Sequence, residues 1–485
     1  MRWENTRISE NHKMKKANPA VTIERDEYGM AKFITEYKMR DQRKQEGKDR
    51  RNEFPREAHA EFEPASDRPN PVEVVKKSSE GRWKHLIPIR YGRMSKSPFT
   101  FLRGSASLMA MDIASTTTTD IIVQACGDCH LSNFGMFATP ERNLIFDIND
   151  FDETLPAPFE WDIKRLAASF YVASRNNKFS EKICKMVTRK GIQAYREAIA
   201  KFSSMKVLDV WYAKLDSEML IASAPDAESK RRRQLMAEKA KSSITESIFP
   251  KITQVISGRR ALVDQPPLIY HPPKELKIPE AMIEIFDQYR ETLPYERRVL
   301  LDRYRFEDVA VKVVGVGSVG TVCGVGLLMA EDNDPLLLQI KEANASVLEP
   351  YAGESIFKHH GERVVVGQRL MQSASDMLLG WATGTGKEHR QFYIRQLRDM
   401  KYSFDIEMMP PIQLGRYAEV CGWTLARAHA RSGDAATIYG YVGKTDVFDL
   451  AIGTFARLYA DQTERDYEVF TQAIESGEIK ADLEK

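Results

Sequence analysis

An aspartate and an asparagine stand five residues apart in Gly127-Asp128-Cys129-His130-Leu131-Ser132-Asn133. That is the spacing of the kinase catalytic loop, H-R-D-x-x-x-x-N, in which the Asp accepts the proton of an attacking hydroxyl and the Asn helps to hold magnesium. A second acidic cluster, Asp150-Phe151-Asp152, follows about 17 residues after Asn133. It resembles the metal-binding D-F-G with Asp152 in the glycine's place, and the gap has room for one short hairpin. The pattern makes Asp128, Asn133 and Asp150 candidate catalytic residues, and Asn133, Asp150 and Asp152 candidate magnesium ligands. Either Asp128 or Asn133 alone would read as a turn cap; the order and spacing of both clusters carry the catalytic reading. Cys126 to His130 also spells C-x-x-C-H, the haem-attachment signature. That route needs export, and the charged start MRWENTRISE has no apolar signal stretch. A metal or redox site on the two cysteines is a further alternative.

Gly315-Val316-Gly317-Ser318-Val319-Gly320-Thr321-Val322 matches G-x-G-x-x-G-x-V, the loop whose backbone covers ATP phosphates in kinases. A dinucleotide-binding loop shares the three glycines but opens a helix. Here TVCGVGLLMA follows, which reads as a strand. The candidate phosphate contacts are Gly315, Gly317, Ser318 and Gly320. Lys341, 21 residues after Gly320 in LLLQIKEA, stands where V-A-I-K places the phosphate-binding lysine. Glu349 is the expected partner of Lys341, with Glu354 and Glu362 as alternatives. The implied ligands are ATP and Mg2+.

The surrounding segments must position these groups. Asp120–Ala125 and Asn143–Ile148 read as strands that deliver the two motifs at their ends. Residues 160–250 read as helices, with one apolar face through Trp161, Ile163, Leu166, Phe170 and Val172. Pro266, Pro267, Pro272 and Pro273 mark a break. Strands follow from Phe306, and Leu414–Glu475 is helical. The glycine loop thus comes after the catalytic motif, the reverse of kinase order. Circular permutation reconciles the two, and is tolerated where original termini lie close together at the surface. TLARAHARSG resembles the helix that precedes the catalytic loop in aminoglycoside-phosphotransferase-like kinases. Asp434 is a rival catalytic aspartate, but Tyr439 stands where its asparagine should be. The expected fold is α/β (α+β): bilobal, protein-kinase-like and circularly permuted, with a helical insertion. Its parts are a charged N-terminal extension over 1–85 with no core, a catalytic segment over 86–300, a nucleotide-covering lobe over 301–412, and completing helices over 413–485.

Composition narrows the class. The chain has 485 residues, 42% hydrophobic and 29% charged, with net charge +2. That balance lacks the basic surplus of a nucleic-acid binder. Val313–Ala330 is uncharged, but its five glycines and many valines suit a turn between buried strands better than a membrane helix. Five cysteines form no disulfide scaffold, so a cytoplasmic protein is expected, with no membrane partner.

The motifs RYGRMSKSPFTFLRG, GDCHLSNFG, FDINDFDE, EWDIKRLAAS, KVVGVGSVGT, QIKEA, GQRLMQ and ARAHARSGD together resemble the bacterial domain-of-unknown-function family 2252, over about residues 50–470. The resemblance implies a protein-kinase-like fold and leaves the reaction open. It also implies that Asp162 braces the catalytic loop, where a helix-start cap is the plain alternative. Gly127 replaces the arginine of H-R-D, which implies no activation-loop phosphate switch of the usual kind. Three functions fit: an ATP/Mg-dependent phosphotransferase on an unknown small-molecule or protein acceptor, a nucleotide-binding pseudokinase that regulates a partner, or an AMP transferase using the same site. Arg90, Arg93 and Arg103 are candidates for an anionic substrate pocket, or for structural salt bridges.

Overall fold

The computed structural model describes residues 22–25, 31–34, 38–256, 258–271, 278–313, 315–331, 334–384, 389–397 and 400–483. Pro272, Pro273 and the rest of the N-terminal charged stretch lie outside them. The fold is mixed helix and sheet, as the sequence predicts at that level.

Helices α1 (Arg40–Glu53), α2 (Pro71–Lys77), α3 (Ile87–Met94), α4 (Pro98–Gly104) and α5 (Ala106–Ala114) lead into the first strands. β1 (Ile122–Ala125) pairs antiparallel with β4 (Leu155–Pro158), and β2 (Phe134–Ala138) with β3 (Leu144–Ile148). α6 (Phe159–Asn176) and α7 (Glu181–Phe202) follow. A six-stranded sheet has the order β5-β6-β7-β8-β10-β9, from β5 (Ile269–Tyr270), β6 (Arg305–Lys312), β7 (Cys323–Met329), β8 (Pro335–Glu342), β9 (Gly380–Thr383) and β10 (Gln391–Gln396). Between β8 and β9 lies α8 (His360–Met371), and the chain closes with α9 (Pro411–Ser432), α10 (Ala435–Val442) and α11 (Val447–Glu475).

The apolar run of β7 is buried along its whole length because both sheet faces are covered. One face packs on Ile285, Tyr289 and Leu293; the other holds Phe249, Leu262 and Leu397. The uncharged run 313–330 is therefore a loop and a buried strand. Among the described residues no helix is long and apolar enough to cross a membrane.

Three expectations change. The sheet begins before residue 301, because β5 pairs with β6 and Tyr289 hydrogen-bonds the Leu378 carbonyl. Residues 38–85 are also no coreless extension. Val72 and Val75 are buried with Tyr91, Phe101 and Phe470, and α1 lies backbone to backbone on α10. α6 differs too: Phe159–Ser174 is buried on every side, not along one face. Several of its polar groups are paired internally, as Thr119 with Glu160 and Lys164 with Thr116.

α7 and α9 cross so closely that a Cβ on Gly422 would stand 2.0 Å from the Gly191 carbonyl oxygen. Backbone cannot yield as a side-chain tip can. Gly422→Ala should therefore destabilise the protein by about 1–3 kcal/mol through overpacking, read as a lower midpoint in urea unfolding.

Candidate active site

β1 ends in a turn at Gly127, where φ is +84° and a Cβ would lie 2.2 Å from the Glu153 carbonyl oxygen. Both conditions call for glycine. The amides of Cys126 and Gly127 donate to Asp162 Oδ2 (2.7 Å) and Oδ1 (3.0 Å) on α6. Asp162 Oδ2 also lies 3.2 Å from His429 Nε2 on α9. Leu131 N donates to Ser169 Oγ at 3.0 Å. One buried helix thus shapes the loop, and α9 locks that contact.

Asp128 is held from the same helix. Arg165 Nε and Nη2 donate to Asp128 Oδ1 at 2.9 and 2.6 Å, while His130 Nε2 is 3.7 Å from Oδ2. Sequence reasoning misses Arg165. Its signal was available: in W-D-I-K-R it stands three residues after Asp162, on the same helix face. Asn133 Nδ2 donates to the Asp128 carbonyl at 2.8 Å, which commits the nitrogen and leaves Oδ1 as a donor for a cation. Burial, with Arg103 and Arg165 adding, holds the His130 pKa well below its ordinary value, so the ring is neutral.

β3 delivers the second cluster. Asp152 accepts from Lys341 Nζ at 2.9 Å (Oδ1) and 2.7 Å (Oδ2), from Tyr393 Oη at 2.6 Å and from Ser318 Oγ at 3.3 Å. Burial opposes its ionisation, but the Lys341 charge and these hydrogen bonds hold its pKa down at about 2. Burial also works against the Lys341 ammonium, and Asp150 with Asp152 outweighs it, raising its pKa well above the ordinary value. Asp150 lies 3.7 Å from Lys341 with about a third of its side chain exposed (32%). Burial and the neighbouring Asp152 push the Asp150 pKa up.

The glycine loop joins β6 to β7, a strand–loop–strand that excludes a helix-opening dinucleotide loop. Its carbonyls are pinned from the N-terminal helices and the turn before them. Arg82 Nη1 donates to Gly317 O and Val319 O, both at 2.7 Å, Arg93 Nη1 to Gly315 O at 2.6 Å, and Trp83 N to Gly320 O at 2.8 Å. Val316 is buried among Val72, Val75 and Tyr91.

These parts surround one cavity of about 910 Å³, lined by Asp128, Asn133, Asp150, Asp152, Gly315, Gly317 and Ser318 among others. Lys341 lies behind Asp152, 3% exposed. Gly320 is turned to Trp83. Glu349 is not the partner of Lys341: it accepts from Ser346 N at 3.3 Å and faces His360 at 3.8 Å, and Asp152 supplies the negative charge instead. Glu354 and Glu362 do not pair with Lys341 either. Asp152, expected as a metal ligand, has both oxygens taken and is the lysine's counter-ion. Asp434 caps α10 through Ala436 N (2.9 Å) and pairs with Arg43 (2.7 Å), outside the cavity lining.

Cys126 and Cys129 are buried thiols; their mutual contact and burial push the Cys126 pKa up, and burial raises that of Cys129 to about 11. Among the described residues no cluster of three or more His, Cys, Asp or Glu is arranged to hold a metal. Magnesium suits a smaller protein set, one or two carboxylates completed by phosphates and water. Asn133 Oδ1 and the part-exposed Asp150 fit that requirement.

The architecture is thus a mixed α+β protein with one large acidic and glycine-lined cavity. Residues 82–473 match the family of uncharacterized proteins conserved in bacteria, DUF2252, and the chain belongs to that family. No curated protein and no solved structure matches the chain.

Asp162 is 1% exposed, and it accepts from the amides of Cys126 and Gly127 as well as meeting His429. Asp162→Ala should cost roughly 1–3 kcal/mol for each amide left unpaired, measured by urea unfolding.

Proposed function

We propose that the protein is an ATP- and magnesium-dependent phosphotransferase with a circularly permuted, kinase-like build. One observation carries the reading. Lys341 is bonded to Asp152, 189 residues earlier in the chain, and lies 3.7 Å from Asp150, and both aspartates line the cavity with Asp128, Asn133 and the glycine loop. Further support comes from strand order. The glycine loop joins the first two strands of the β6-β7-β8 meander and the lysine sits on the third, as in protein kinases. The end of α9 lies beside β1, with Gln124 N donating to Ser432 Oγ at 3.3 Å. That contact suits a permuted reading, in which α9 would take the place of the helix that precedes the loop in unpermuted kinases. The sheet and the helical body have separate cores, which suits two lobes with the cavity between them.

In this mechanism the glycine-loop amides hold the triphosphate, and the Lys341 ammonium, kept in place by Asp152, supplies positive charge from behind it. Asn133 and Asp150 would hold magnesium, which neutralises charge on the transferring phosphoryl group. Asp128 takes the acceptor hydroxyl proton. Arg165 occupies its Oδ1, so Oδ2 is the base. The new bond joins acceptor oxygen to the γ-phosphorus, the bond from that phosphorus to the β–γ bridging oxygen breaks, and ADP leaves.

Calorimetry with magnesium present should show ATP binding, weakened in Lys341→Ala; absence of binding to the wild-type protein would overturn the proposal. Once an acceptor is found, mass spectrometry should show it gaining phosphate and not AMP. Asp128→Asn should then slow turnover by about 10²–10⁴-fold, the usual loss for a general base.

The metal site should also respond to pH. Only the ionised Asp150 carboxylate attracts a cation, and burial plus Asp152 raise its pKa above the ordinary 3.8. Mg·ATP affinity should therefore fall as pH is lowered through that raised value. Asp150→Asn should bind more weakly and lose this dependence, as calorimetry across a pH series would show.

A further inference from the structure

The cavity is larger than a nucleotide site requires. At about 910 Å³ it lies near the top of the roughly 300–1,000 Å³ range for small-molecule pockets. Its lining also takes in α2 and α4–α5, through Lys77, Arg103 and Ser107. The cations in and beside this lining differ in what they already hold. Arg82 is spent on the glycine-loop carbonyls. Arg90 is 2% exposed and donates to Ser79 Oγ at 2.6 Å and Gly104 O at 2.8 Å, so it is a structural arginine. Arg93, outside the cavity lining, supports Gly315.

Arg103 is different. Its guanidinium makes no hydrogen bond among the described residues, and its Nε is buried without a partner. The side chain is positioned all the same, with Cζ 5.8 Å from the centre of the Phe99 ring one helical turn earlier. Its charge faces Asp128: burial lowers the Arg103 pKa, Asp128 is the acid that most opposes this, and Arg103 in turn helps to keep His130 neutral. A planar fork of donors, held by an aromatic face and otherwise unsatisfied, is what binds a carboxylate or phosphate in two-point fashion. His130 adds a neutral ring whose buried Nδ1 also has no partner.

Resting on the phosphotransferase reading, we infer that the acceptor is a small hydroxyl compound carrying an anionic group, phosphate or carboxylate, bound by Arg103 so that its hydroxyl meets Asp128. The transfer is the one described above: the hydroxyl proton passes to Asp128, the phosphoryl group moves from ATP to that oxygen, and the anionic group remains on Arg103 throughout. Arg103 then selects the acceptor, while the glycine loop, with the Lys341 charge behind, holds the nucleotide.

The test is calorimetric titration of the full-length protein, loaded with magnesium and a non-hydrolysable ATP analogue. One arm uses inorganic phosphate, a second acetate, and a third neutral glycerol. One of the two anions should bind saturably, and which one does tells phosphoryl from carboxylate recognition. Arg103→Gln should weaken that anion by at least about tenfold, as expected for loss of a charge-assisted fork. Arg103→Lys, which keeps the charge, should fall between, and glycerol should not discriminate among the three proteins. The inference is overturned if neither anion binds the wild-type protein, or if the binding anion holds equally well to both variants. Failure of the ATP analogue to bind would instead remove the phosphotransferase reading. The same anion arms on nucleotide-free protein, compared between wild type and Arg103→Gln, would then judge the Arg103 site by the same two outcomes.

Discussion

The site depends on one buried ion pair, Lys341 with Asp152. The lysine comes from the centre of the six-stranded sheet and the aspartate from the turn after β3, so the pair joins the two halves of the molecule. Neither charge is well solvated: the Lys341 side chain is 4% exposed and that of Asp152 27%. Removing one partner of such a pair strands the other, at about 3–5 kcal/mol. The contacts around it grip the same turn. Arg363 on α8 donates to the carbonyls of Asp152 (2.8 Å) and Thr154 (2.6 Å), and Arg395 on β10 to that of Asn149 (3.0 Å). With its carbonyls tied to the sheet side, this turn presents Asp150 to the cavity in a fixed position.

A second framework sits behind the first. α6 supplies Asp162, Arg165 and Ser169 to the loop around Asp128, and each acts on a different atom set: amides, carboxylate and a further amide. α9 closes the back through His429 on Asp162 and through Arg427, which pairs with Asp147 of β3 in full burial. Polar groups inside a helix core are costly unless every member is satisfied. Here the contacts of Asp162, Arg165 and Ser169 are what hold the loop geometry.

The sequence displays the motifs more clearly than their supports. β1, β3, the glycine loop and the lysine strand were legible because short apolar runs end in residues with few other uses. Asp152 was visible as a departure from D-F-G, yet its role was not, since pairing with Lys341 crosses 189 residues. Expecting a glutamate from the next helix followed kinase precedent, and the local aspartate makes that glutamate unnecessary. α1 was invisible as a packed element for a physical reason. It meets α10 through the absence of side chains, with Gly47 against the Thr437 carbonyl, and charge patterning shows only its solvent side. Arg165 was hidden by its type, because a lone arginine in a charged helix reads as surface.

The inverted chain order has a consequence for synthesis. Ribosomes release about 5–20 residues each second. The 189 residues between Asp152 and Lys341 therefore take roughly 10–40 s to emerge. During that interval the nascent acidic turn has no lysine to neutralise it and no sheet to grip it. β1 waits longer still, because Ser432 lies 308 residues after Gln124. A kinase in ordinary order would have its nucleotide strands in hand before its catalytic loop was made. This chain makes the loop around Asp128 early and must shelter it, half-built, until α9 arrives.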